Sequence, residues 1–352
     1  MKAVRMYAPR DLRVEEVEMP RYAEDECLIK VMAVGVCGSD IPRMNQYGAH
    51  VSPIICGHEF GGKIVETGKN VTKFNVGDRV TCPPLIPCGE CKYCQMGEYS
   101  LCEHYDYYGS RRDGAYAQYI AVKESNLLKV KNTVSYEDAA TTDPCANALH
   151  GMARAEFKPG DSVCVYGAGP IGLFAVQYAR IKGAGKIIAV DVWEEKLDMA
   201  RKNGADVVIN SKETDPAEAV LKETEGLGCD VVIDFSGAPV CQKAAIRSAA
   251  KLGRVVFLGI SHQGLELSEK EVDEIMRKQL SIKGSWNSFT KPFPGSDWTE
   301  SIDLFENHGL TAKDIISHRL TLDEMPETFE KIAKGGYFFS KIMFFPNGQT
   351  EE

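Results

Sequence analysis

From Asp161 onward the chain alternates short apolar runs with helical stretches, and this rhythm limits its fold more than any other feature. Ser162–Tyr166 and Lys186–Asp191 read as strands, Gly172–Lys182 and Glu194–Asn203 as helices. Val207–Ile209, Asp230–Phe235, Arg254–Leu258 and Ser281–Ser285 continue the series, separated by helical Pro216–Glu223 and Pro239–Lys251. Strands that are apolar along their whole length need cover on both faces. With crossover helices between them, they form a doubly wound parallel sheet in an α/β fold.

The first strand leads into Gly167-Ala168-Gly169-Pro170-Ile171-Gly172, which opens the first helix. A lone G-x-G-x-x-G is weak evidence, but here it lies in a strand–helix–strand unit. Gly167 allows the tight turn, Gly169 lets the backbone approach a pyrophosphate, and Gly172 lets helix and strand pack closely. Free N–H groups at the helix start offer partial positive charge to phosphates. Asp191 ends the second strand, nineteen residues beyond Gly172. Its carboxylate can accept from adenosine ribose hydroxyls and would repel a 2′-phosphate, so the expected cofactor is NAD rather than NADP. The rival account is an ordinary glycine turn beside a surface aspartate.

The first ~150 residues read mostly as short strands and turns, including Glu26–Val34, Gly61–Thr67 and Tyr116–Ala121. Tyr136–Ala155 turns helical and reads as a connector. After about Trp286 the alternation ends, leaving a helical Trp298–Asn307 and a last strand, Lys341–Phe345.

Cys88, Cys91, Cys94 and Cys102 follow a C-x2-C-x2-C-x7-C spacing in a glycine-containing turn. Four thiolates at about 2.3 Å can enclose one zinc ion and leave it no open position, so such a site stabilises rather than catalyses. Buried or disulfide-bonded cysteines are the alternative. The chain has twelve cysteines, and Met1–Glu18 alternates apolar and charged residues with no signal-peptide core. A reducing, cytoplasmic setting is expected. A net charge of -9 makes nucleic acid an unfavourable partner, and no run nears the ~20 apolar residues that span a membrane.

Cys37-Gly38-Ser39-Asp40 ends the strand Cys27–Val34, and His58-Glu59 follows in a second glycine-rich turn. A thiolate, an imidazole and carboxylates suit a catalytic zinc with room for water or substrate. Each residue alone is commonly just a packed side chain.

These motifs, in this order, resemble the zinc-dependent medium-chain alcohol and polyol dehydrogenases. V-C-G-S-D, G-H-E-F-G-G, the four-cysteine lobe, D-G-A-Y-A-Q-Y, Asp143-Pro144, G-A-G-P-I-G and the Asp191 strand end carry the likeness along nearly the whole chain. The resemblance implies a GroES-like β-rich catalytic domain at 1–155 and 287–352, with a zinc lobe near 85–105, and a Rossmann domain at 156–286. It implies two zinc ions, NAD, a dimer or tetramer, and Cys37, His58 and Asp143 around the catalytic zinc. Glu59 becomes a fourth ligand or an exchanging neighbour. Asp40 fixes the His58 tautomer, and Ser39 lies between the substrate hydroxyl and the cofactor ribose. Asp143 departs from the polyol-dehydrogenase pattern, which has glutamate there. It is one methylene shorter, so a water bridge or Glu59 is the alternative to direct ligation, and since Pro144 follows it, it can also be read as a helix-start carboxylate.

Finer segments, Asn45–His50, Tyr105–Gly114 and Gly284–Trp298, resemble the polyol-phosphate dehydrogenases of this family. A phosphate needs cationic donors, and Arg43, Arg111, Arg112, Lys291 and His50 are candidates. Arg111-Arg112 reads equally well as a solvated turn. Trp286 and Trp298 suit either a sugar pocket or core and subunit contacts. An unphosphorylated polyol substrate and a non-catalytic NAD(H)-binding role are the alternatives.

Overall fold

The computed structural model describes residues 1–349. The chain forms two compact units, Cys145–Asn287 and Met1–Pro144 with the segment from Ser288 onward.

In Cys145–Asn287 six strands form one sheet in the spatial order Val207–Asn210, Lys186–Asp191, Ser162–Tyr166, Cys229–Asp234, Ala249–Phe257, Ser281–Gly284. Every pairing is parallel, with Val163 opposite both Ile187 and Val231. Val163, Cys164 and Val165 are fully buried, as are Ile187, Ile188 and Ala189, so helices cover both faces. Order reverses beside Ser162–Tyr166, and ligands of such sheets bind at the carboxyl ends there. The helix Pro170–Ile181 starts at Gly169 with Pro170 in its first turn, where a missing N–H costs nothing. The helix Glu269–Arg277 was not expected. Ser268 and Glu271 close a reciprocal cap at its start.

In the other unit Glu26–Gly35 is the hub of a seven-stranded sheet. It pairs antiparallel with Glu59–Thr67, Tyr119–Lys123 and Lys341–Phe344. Lys341–Phe344 in turn runs parallel to Ile316–Leu320. Lys2–Ala8, Asp11–Glu16 and Ile54–Ile55 form a second sheet. Their shared core includes Met6, Ile29, Val31, Phe60, Ile64, Tyr116 and Phe344. The strand expected at Tyr116–Ala121 begins three residues later, because Tyr116 and Ala117 bond to the first strand instead. Helical Tyr136–Ala155 is two helices, Tyr136–Ala140 and Thr142–Arg154. The strand Ile316–Leu320 and the helix Met325–Lys334 had no counterpart in the sequence reading. Among the described residues no helix is long and apolar enough to cross a membrane.

Candidate metal centre and dinucleotide turn

The hub strand delivers Cys37 just past its end, and the neighbouring strand begins at Glu59, opposite Gly35. This register brings Cys37, His58 and Glu59 together. One donor atom from each lies within 4.8 Å of the others, with His58 and Glu59 buried. His58 Nδ1 is buried with no hydrogen-bond partner among the described residues. Burial, then the charges of Glu59 and Asp40, push the Cys37 thiol up from its ordinary range. A soft sulfur, an orphaned imidazole nitrogen and a carboxylate in one buried place fit a zinc ion, which favours thiolate over thiol.

Around this trio stand groups that fix it. Ser39 Oγ donates to Cys37 Sγ at 3.2 Å. Asp40 is fully buried, accepting from Arg43 Nη1 at 2.9 Å and the Tyr116 hydroxyl at 2.8 Å. Its Oδ1 lies 3.7 Å from His58 Nδ1, an ion-pair distance rather than a hydrogen bond. Tyr107 meets His58 edge-on at 5.5 Å between ring centroids.

Asp143 is buried in the first turn of Thr142–Arg154. It shares the charge network of His58, Glu59, Lys341 and Asp40 but lies outside the trio that meets within 4.8 Å. Burial raises its carboxyl to about 7, against the lowering pull of His58. Sequence reasoning missed one member of this network: Lys341 donates to Glu59 Oε2 at 2.5 Å from the final strand.

The four lobe cysteines also converge, with one sulfur from each within 4.8 Å of the rest. Cys88 Sγ and Cys94 Sγ are 3.9 Å apart, and all four are free thiols. Tetrahedral ligands at about 2.3 Å from one ion sit about 3.8 Å apart, so this spacing suits an enclosed zinc. The short helix Lys92–Met96, ended by Gly97 in the left-handed region (φ 86°), folds the lobe back on itself.

The glycine turn is equally shaped. A Cβ on Gly172 would fall 2.1 Å from the Gly167 carbonyl, whereas one on Gly169 would meet nothing within 4 Å. The first glycine serves packing, and the second leaves open space at a helix start. Asp191 Oδ2 accepts from Ala168 N at 2.8 Å, and Oδ1 from Val192 N at 2.7 Å and Trp193 N at 3.0 Å. Its carboxylate is thus anchored across the mouth of the turn. Pro170 and Ile171 form the first helical positions.

The candidate phosphate groups separate. His50 is exposed and stands near Arg111 and Arg43, whose charges add to the lowering of its basicity by burial. The Arg111 guanidinium lies 4.5 Å over the Tyr105 ring. Arg43 is also in electrostatic reach of Cys37 and Tyr107. Arg112 has other partners, with Nε 2.7 Å from Asp106 and Nη1 3.9 Å from Glu26. It lines a cleft with Arg5, Glu15 and Asp113. The Lys291 stem packs on Gly97 of the lobe. Trp298 is fully buried and stacks on Phe289 at 5.6 Å, a core role. Trp286 is 54% exposed and belongs to the unit Cys145–Asn287.

Residues 23–132 match the family model of the alcohol dehydrogenase GroES-like domain, and residues 170–307 that of the zinc-binding dehydrogenases. The chain is 35% identical to galactitol 1-phosphate 5-dehydrogenase of Escherichia coli K12, over 95% of this chain and 97% of that one. It is 32% identical to sorbitol dehydrogenase of Bacillus subtilis strain 168, over 99% and 98% respectively. The crystal structure of galactitol-1-phosphate dehydrogenase from Escherichia coli superposes with a TM-score of 0.93 at 34% identity, covering 98% of this chain and 100% of that one.

Proposed function

The chain belongs to the zinc-binding medium-chain alcohol and polyol dehydrogenases, and from that premise we propose that it oxidises a secondary hydroxyl of a polyol phosphate with NAD, galactitol 1-phosphate going to tagatose 6-phosphate. The observation that supports the phosphate is that Arg43, in electrostatic reach of Cys37 and Tyr107, is also in reach of His50, as is Arg111. Charged donors recognise a phosphoryl group with hydrogen bonds about twice as strong as neutral ones.

Cys37, His58 and Glu59 or Asp143 would hold the catalytic zinc, and Cys88, Cys91, Cys94 and Cys102 the structural one. When bound, zinc would supply a Lewis acid that lowers the pKa of the substrate hydroxyl, and the nicotinamide a hydride acceptor. The chain's own work is then to place, orient and deprotonate. Asp40, gripped by Arg43 and Tyr116, holds the His58 ring in position. Ser39 would accept the substrate hydroxyl proton while releasing its own toward solvent, its hydroxyl free to rotate away from Cys37 Sγ. Arg43, Arg111 and His50 bind the phosphate, which fixes which carbon stands nearest the nicotinamide. Gly167–Gly172 binds the pyrophosphate. Asp191 accepts from the ribose hydroxyls and disfavours a 2′-phosphate.

The test is the rate of NAD reduction by zinc-loaded enzyme on galactitol 1-phosphate against free galactitol. A strong preference for the phosphate is expected. Turnover of unphosphorylated polyols alone would transfer the protein to the sorbitol type and remove the phosphate role from the arginines.

A further inference from the structure

Lys341 is only 2% exposed, in the first position of the final strand. Lysines are almost never buried this far without a partner. Its Nζ donates to Glu59 Oε2 at 2.5 Å and to the carbonyl of Val36, the residue before Cys37, at 2.8 Å. The two side chains meet over Gly35. A Cβ there would lie 2.8 Å from Glu59 Oε2 and 3.3 Å from Lys341 Cδ. The hub strand therefore leaves a gap where this ion pair forms, two residues before Cys37 and one after His58.

Glu59 thus has two suitors. One is the cation that Cys37 and His58 are built to hold; the other is the ammonium of Lys341. We propose that Lys341 is a positioning residue that competes with the catalytic metal for the Glu59 carboxylate, and so keeps one coordination position open for substrate. This rests on the assignment of Cys37 and His58 as ligands. A carboxylate swinging fully to the metal would strand a buried ammonium, which opposes the swing. Removal of the ammonium leaves Glu59 with no buried counter-charge except the metal, so it becomes a permanent ligand and fills the open position.

The test uses the intact holoenzyme and two readouts that need no turnover. These are the visible absorption of cobalt(II) exchanged into the Cys37–His58 site and the rate at which that metal passes to a chelator. In Lys341→Met the cobalt bands shift, and release slows by about tenfold, the scale on which partners of metal ligands act. Lys341→Arg keeps the wild-type spectrum. Lys341→Met combined with Glu59→Gln releases metal at least as fast as wild type, because the neutral amide no longer closes the site. A wild-type spectrum and release rate in folded Lys341→Met overturns the proposal, as does equal slowing in the double variant. If Lys341→Met does not fold, a shifted spectrum in Lys341→Arg overturns it and an unshifted one supports it. Neither readout depends on which alcohol the enzyme takes, so this proposal fails or stands apart from the choice of substrate.

Discussion

Asp40 Oδ1 lies 3.7 Å from His58 Nδ1 while the same carboxylate accepts from Arg43 and Tyr116. Two strong donors hold the carboxylate, and its charge faces the imidazole without a hydrogen bond between them. Asp40→Asn would turn an amide N–H toward one of those donors and remove the charge that stabilises the ring orientation. The expected loss is about 10–100-fold in kcat/KM or in affinity for the catalytic metal, the range seen for partners of metal ligands. Steady-state kinetics with metal titration would read it. A variant within twofold of wild type in both would mean that Asp40 serves the fold alone.

Arg111 and Arg112 are neighbours in sequence with different duties in the structure. Arg111 stands with Arg43 near His50, whereas Arg112 is tied to Asp106. A charge-assisted hydrogen bond contributes about 1.5–3 kcal/mol, so Arg111→Ala should raise KM for the phosphorylated polyol by roughly 10–100-fold. Its effect on a free polyol should be slight. Arg112→Ala should leave both KM values near wild type. The pair of variants, assayed on both substrates, separates phosphate binding from general damage.

Much of this architecture is legible in the chain, and the parts that are not share a cause. Ser162–Tyr166 and Lys186–Asp191 were found at the expected bounds because strands buried on both faces carry an unbroken apolar signal. Cys37, His58 and Glu59 stood out as candidates because they sit in short glycine-bounded motifs, but the expected set put Asp143 beside Cys37 and His58, and the donor atoms that meet within 4.8 Å include Glu59 in its place. The Lys341–Glu59 pair spans 282 residues, and nothing in Lys341-Ile342-Met343-Phe344 marks its first residue as a partner of a metal site. The Ser268–Glu271 cap did carry a local S-x-x-E signal, but it was masked by a run of charges with little apolar periodicity.

Metal binding should depend on pH through Asp143. In metal-free protein burial lifts this carboxyl from 3.8 to about 7. A carboxyl raised on folding favours the folded state when protonated. That contribution is full below the unfolded value and is lost as pH rises through about 7. A cation nearby favours the ionised form, so the proton competes with it. Apparent affinity at the Cys37–His58 site should fall as pH drops below about 7, with one extra proton adding a factor of about ten per pH unit. Asp143→Asn should remove that one proton from the slope, leaving the one-proton contribution of the Cys37 thiol. Competition with a chelator across about pH 6–8, one unit either side of the shifted carboxyl, measures both slopes. Equal slopes would dissociate Asp143 from the metal.

Cofactor preference should follow Asp191. Its two oxygens accept from the Ala168, Val192 and Trp193 N–H groups, which leaves about one of the carboxylate's four or so acceptor positions, on Oδ2, for a ribose hydroxyl. Asp191→Ser keeps an acceptor but removes the charge. The ratio of kcat/KM for NAD over NADP should fall by about 100-fold or more, combining weaker ribose binding with relief of phosphate repulsion. Part of the NAD loss will come from the glycine turn itself, since the Ala168 N–H loses its acceptor. A wild-type ratio would place cofactor selection elsewhere.

The lobe depends on its metal more than on its own packing. Its buried cluster is Cys91, Cys94 and Cys102, with Cys88, Tyr93, Tyr99 and Tyr105 only partly buried around it. The sulfurs that should bind the ion are therefore most of the core. Backbone N–H groups of Cys94 and Glu103 lower the Cys91 thiol to about 6, so one thiolate is ready before any metal arrives. Burial raises Cys94 to about 12, so its proton must be displaced by the ion. Cys94→Ser replaces that soft ligand with a hydroxyl that stays protonated. Zinc content should fall from two to one per chain, as only the Cys37 site remains. The short helix Lys92–Met96 should then open, with cleavage by trypsin after Lys92 at least tenfold faster than in wild type. Ser100 and Phe289 exchange hydrogen bonds that tie the lobe to the segment near Lys291, so amide exchange there should rise as well. Retention of two zinc ions and unchanged cleavage would mean that three thiolates suffice and that the fourth is ornamental.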